Sequence, residues 1–167
     1  MAQTFTHVGP YEDIPPSASP GLLFLKELLP SLDSLGPFDG PPSLVDYLTP
    51  DATFIMNGGP PIAALAAFEM LPKRAQTLSR FHHLVHRAWD IVNPDGSGRH
   101  TVMYESTSLS VFKEDHEAVE VRVSEFNIVE LIESKDVADG SVSLKATQLR
   151  SFLDGSPVTE RAAMIRS

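Results

Sequence analysis

The stretch Ala118 to Ile132, AVEVRVSEFNIVELI, alternates strictly enough to be read as one long β-strand. Val119, Val121, Val123, Glu125, Asn127, Val129 and Leu131 fall on one face, with Glu120, Arg122, Ser124, Phe126, Ile128, Glu130 and Ile132 on the other. A polar pair, Glu125 and Asn127, interrupts an otherwise apolar face. Outward from this stretch, residues 81–92, 100–112 and 142–153 are further β-like runs. They are separated by NPDGSGR (93–99), KEDHE (113–117) and SKDVADG (134–140), all strong turn chemistry. The upstream half reads differently. Gly21 to Ser34, GLLFLKELLPSLDS, places Leu22, Leu25, Leu28, Leu29 and Leu32 at helical spacing, with Pro30 expected to bend or end the helix. GPFDGPP (36–42) is a turn-rich linker. Ser43, with Asp46 three residues on, is placed to cap a short second helix, SLVDYL. TPDATFIMNGGPP reads as turn, short strand, turn, and from Pro60 or Pro61 the run IAALAAFEMLPKRAQTL predicts a third helix. Residues 1–20, rich in proline, read as an irregular arm, either disordered or draped over a partner. Helices first and hairpin-linked strands afterwards predict an α+β domain over residues 21–167.

Composition narrows the function. The chain has 167 residues, 42% of them hydrophobic and 21% charged, which fits one globular domain with one core. A formal charge of −9 repels phosphate backbones and anionic lipid, so neither nucleic acid nor membrane is an expected partner. The absence of cysteine excludes thiolate catalysis, disulfides and Cys-based zinc sites. The opening residues lack a basic segment followed by an apolar one, and no run approaches 18 apolar residues, so a cytoplasmic protein is expected.

Chemistry concentrates in RFHHLVHRAWDIV, Arg80 to Val92. On a regular strand His82, Leu84, His86 and Ala88 share one face and His83, Val85, Arg87 and Trp89 the other, so whichever face looks inward carries an imidazole. Histidine titrates near neutrality and is suited to proton transfer at cellular pH. His82 and His86 have a ligand spacing on a helix, but on a strand they stand about 13 Å apart and do not share one ion. No metal is expected. GGPP and DGSG lack the helix start and lysine of phosphate loops, so no nucleotide cofactor is expected either.

The order of elements over residues 20–160 resembles the nuclear transport factor 2-like superfamily, in its SnoaL-like polyketide cyclase and scytalone dehydratase-like branches. Three features carry the likeness: LTPDATFIMNG (48–58); H-x-V-x-x-x-W as His83, Val85 and Trp89; and RSFLDGSPV (150–158). The resemblance implies a cone-shaped α+β barrel, in which a curved, mostly antiparallel sheet encloses an apolar pocket covered by three N-terminal helices. It further implies that Asp33, in SLDS (31–34), and His83 form a proton-transferring pair, and that the chain pairs as a homodimer through the outer sheet face, where Phe126, Ile128 and Ile132 lie. Leu32 stands where that branch has a pocket tyrosine. A second tyrosine is missing near Met56 or Asn57, and a second histidine near Ser124 or Glu125, which points away from scytalone dehydration itself.

A carboxylate beside an imidazole fixes the tautomer and raises the basicity of the far nitrogen, which suits proton abstraction next to a carbonyl. His83 and Asp33 are the principal catalytic candidates, with His82 and His86 as rivals, because a one-residue bulge reverses which histidine looks inward. Asn57, Tyr104, Glu125 and Asn127 are candidate substrate-binding groups, and Trp89 and Phe54 the apolar members of that set. Two classes of function follow: a cofactor-free cyclase, isomerase or dehydratase acting by enolisation on a hydrophobic polyketide- or terpenoid-type small molecule, or a noncatalytic binding module on the same scaffold.

Overall fold

In the computed structural model the described residues are 2–38, 43–135 and 142–166. They run β1 (Gln3–Val8), α1 (Pro20–Asp33), β2 (Leu48–Met56), β3 (Ile62–Ala63), α2 (Ala64–Phe68), α3 (Met70–Thr77), β4 (Leu78–Val92), β5 (His100–Phe112), β6 (Val121–Lys135), β7 (Val142–Leu153) and α4 (Ser156–Arg166). Short 3₁₀ turns cover Tyr11–Asp13 and Leu44–Tyr47. One curved, unclosed sheet has the order β1-β4-β5-β6-β7-β2-β3, antiparallel throughout except for the β2–β7 pair. This is an α+β architecture. No helix among the described residues is long and apolar enough to cross a membrane.

The four β-like runs became the four long strands, because side chains of alternating character pack one face of each against a common core. Val85, Ala88, Val102, Val129, Leu131 and Ala146 are all buried, and α1 covers them with Leu22, Leu25, Leu28, Leu29 and Leu32. Pro20 sits in the first turn of α1, where its missing N–H costs nothing. Ser19 makes no side-chain cap; the carboxylate of Asp90, on β4, accepts the Gly21 N–H at 2.9 Å instead. Pro30 lies inside the helix, which ends at Asp33. The Ser43–Asp46 capping box is present, on a 3₁₀ turn rather than an α-helix.

Several readings are corrected. Residues 1–20 are not an irregular arm: Gln3–Val8 pair antiparallel with Arg87–Val92, and Tyr11 and Ile14 are buried beneath α1. Prolines cluster between these elements without preventing a strand on the sheet edge. The third helix is two, α2 and α3, preceded by Ile62 and Ala63 as a short strand on β2. The break at Glu69 has a local cause, since Pro72 lacks the N–H that would bond the Phe68 carbonyl. β6 begins at Val121 and not Ala118, because Ala118 adopts a positive φ of 50° in a turn that Asp115 organises through the Glu117 and Val119 N–H groups. α4 was not foreseen. Of the turns and linkers, residues 39–42 and 136–141 lie outside the described residues.

Candidate active site

β1 ends at Val8, with the Gly9 N–H donating to the His86 carbonyl, so the first half of β4 has no strand on its outer edge. The last turn of α1 docks there. Asp33 accepts the backbone N–H of His83 through both oxygens, at 3.2 and 3.1 Å, and so satisfies an edge donor that sheet pairing leaves free. That contact brings the carboxylate beside both neighbouring imidazoles. Its Oδ1 meets the His83 Nδ1, while its Oδ2 lies 2.9 Å from the His82 Nδ1 and accepts the Tyr11 hydroxyl at 3.1 Å. Arg74 holds the end of α1 by donating to the carbonyls of Leu32 and Ser34, its guanidinium 3.7 Å from the Phe81 ring centre.

His83 points inward and is 8% exposed; its Nε2 lies 3.4 Å from Oε2 of Glu125. Glu125 reaches this point from the apolar face of β6, where Ser106 is its cross-strand neighbour on β5. Alternation on β6 therefore holds, and the polar pair that interrupts it is turned into the cavity. Burial by itself lowers the basicity of His83, but the hydrogen bonds and charges of Asp33 and Glu125 outweigh it and hold the pKa up at about 9. Desolvation likewise opposes ionisation of Asp33 and Glu125, yet the His83 hydrogen bonds and charge keep both below the usual carboxylate range. At neutral pH the centre is an imidazolium between two carboxylates.

These groups form one wall of a cavity of about 500 Å³, lined largely by apolar side chains such as Phe54, Phe68, Leu71 and Leu149. Tyr104, 4% exposed, also lines it, and its hydroxyl has no partner among the described residues. Burial, reinforced by the charges of Glu125 and Asp33, raises its pKa and keeps the phenol a donor. Asn127 is fixed deeper in, accepting from Ser151 Oγ at 2.6 Å and facing Ser106 Oγ at 3.4 Å.

The other sequence candidates lie elsewhere. His82, on the solvent side of Asp33, also faces Glu12 at 3.4 Å. His86 is exposed and bonded to Thr107 on the outer face. Trp89 does not line the cavity, because a bulge between Val85 and Arg87 shifts the alternation and turns Ala88 and Asp90 inward. Asn57, at φ 51°, clamps the ends of β2 and β7 together through the Leu153 backbone, with both bonds at 2.9 Å. Tyr11, Glu12, Arg74 and Ser151 were missed. Tyr11 and Glu12 sat in a segment read as an arm, and Arg74 on a helix whose polar residues carried no motif. Among the described residues no three His, Asp or Glu side chains converge as metal ligands.

No protein-family model matches the chain, and no curated protein matches it. Solved structures do. A candidate aromatic ring hydroxylase of Novosphingobium aromaticivorans is 16% identical with a TM-score of 0.60, over 81% of this chain and 90% of that one. Candida albicans Mtr2 is 17% identical with a TM-score of 0.52, over 78% and 91% of the two chains. In the C. albicans complex of Mtr2 with the Mex67 M domain the match is 16% identical with a TM-score of 0.50, over 78% and 92%. At such identities the likeness is one of fold.

Proposed function

We propose that this chain, which has the nuclear transport factor 2-like fold, is a cofactor-independent lyase or isomerase acting by enolisation on a polyketide- or terpenoid-type ketone. The observation that carries the reading is a buried imidazole held between two carboxylates on the wall of an apolar cavity. Glu125 takes a proton from the carbon next to the carbonyl, whose oxygen receives a hydrogen bond from Tyr104. For a β-hydroxy ketone, His83 then gives its Nε2 proton to the departing hydroxyl, the C–O bond breaks, and water leaves. The proton on Glu125 crosses 3.4 Å to the His83 Nε2, which restores both groups. In an isomerisation the proton returns to another carbon of the enol. Asp33, which does not line the cavity, positions the imidazole, and Arg74 fixes the end of α1 that carries Asp33. The same reading includes a homodimer through the outer face of the sheet.

Exchange of α-hydrogens in deuterated buffer tests it without knowledge of the natural substrate. With a panel of tetralones and hydroxytetralones, the protein is expected to catalyse exchange, and Glu125→Gln or His83→Gln to lower it by about 10² to 10⁴. Asp33→Asn should lower it too, and less than additively with His83→Gln. If every ketone exchanges at the buffer rate while still binding in the cavity, the noncatalytic binding module replaces the enzyme.

A further inference from the structure

A second cavity, of about 550 Å³, opens beside the other end of α1. Its deepest polar group is His100, 7% exposed, whose Nδ1 lies 2.8 Å from Oδ1 of the fully buried Asp90. The other Asp90 oxygen is taken by the Gly21 N–H. Asp90 is placed to accept from Nδ1, so in the neutral imidazole the proton sits on Nδ1 and Nε2 is an acceptor. No described residue donates to it, and the ring lines the cavity. Nε2 is thus an acceptor that opens on the cavity and is available to a donor from outside the chain.

The rest of the cavity sets the charge of that donor. Phe24 and Tyr47 form an edge-to-face corner in its wall, ring centres 5.8 Å apart at 86°. Glu27 and Glu133 also line it, both exposed and neither in an ion pair among the described residues. Lys145, the cation of the lining, already donates to the Asp46 carbonyl, and the Asp46 carboxylate is held by the Ser43 N–H at 2.9 Å. A negative rim, an aromatic wall and an acceptor at the bottom are complementary to one class of ligand. We infer that this cavity binds a small organic ammonium ion, which donates an N–H to the His100 Nε2, rests its apolar stem on Phe24 and Tyr47 and is balanced by Glu27 and Glu133. The site shares no lining residue with the cavity of His83 and does not depend on the reaction assigned there.

Titration of protein carrying ¹⁵N-labelled histidine with butylammonium tests the assignment. A saturable shift of the His100 Nε2 resonance is expected, and butanol, with the same stem and no charge, should bind at least about tenfold more weakly. Glu27→Gln and Glu133→Gln should each weaken butylammonium by roughly two- to fivefold. His100→Leu should abolish binding; because it also strips Asp90 of a partner, the two rim variants decide the matter if it fails to fold. No saturation at His100, equal binding of butanol, or full affinity in both rim variants overturns the inference.

Discussion

Asp33 is asked to serve four donors at once: the His83 N–H, both neighbouring imidazoles and the Tyr11 hydroxyl. Such crowding works because the charges are opposite, and it ties stability to pH. The imidazole of His83 is held at about 9 against an ordinary 6.5, so the stability it contributes is complete below 6.5 and lost as pH rises through 9. Asp33 and Glu125 are shifted downward, so their contribution is present above the ordinary carboxylate range and lost as pH falls below it. The melting temperature is therefore expected to fall between pH 6.5 and 9, and His83→Gln to flatten that limb; an unchanged slope in the variant would contradict the assignment. At this scale the sequence was partly legible. His83 and Asp33 were marked by a family resemblance, and Glu125 by its place on an apolar face. What joined them, a helix end filling an unpaired strand edge, depends on where β1 stops, and no local pattern records that.

Among the elements, α1 is seated at one end by Asp33 on β4 and at the other by Asp90 of the same strand. Gly21 is where the second seat is tightest: a Cβ there would lie 2.4 to 2.6 Å from the three Asp90 carboxyl atoms. Asp90 is fully buried and already bonded to His100, so it has nowhere to retreat. Gly21→Ala should cost about 1–3 kcal/mol despite the higher helix propensity of alanine, read as a lower denaturant midpoint at unchanged slope. A gain in stability would show that the helix slides freely on β4. Regular alternation was readable along all four long strands, but the bulge at His86 and Arg87 was not, since its residues are those of any strand. It sent Trp89 out of the pocket and Asp90 into the core.

For the molecule as a whole, that outward turn builds a continuous ladder. Trp89, Met103 and Ile128 are partners in register across β4, β5 and β6, with Phe126 opposite Phe152 one rung away. Aromatic and aliphatic side chains aligned on the convex face suit a self-complementary two-fold contact. Sedimentation should find a dimer at micromolar concentration, and Met103→Glu with Ile128→Glu should return it to monomer; a wild-type monomer would remove the dimer from the reading. Fold class was the most legible level, because periodicity and turn chemistry agreed over most of the chain.

The parallel pairing of β2 with β7 bears on the order of assembly. Thr53 and Gln148, bonded across it, are 95 residues apart in sequence, whereas β4 to β7 join through short reverse connections. Closing so long a loop is slow compared with zipping hairpins. During synthesis the wall carrying Phe54 must therefore wait, unpaired on that side, until the last strand emerges. A chain halted before β7 would hold Asp33 and His83 and lack the chamber, with hydrophobic β2 left for chaperones to shield.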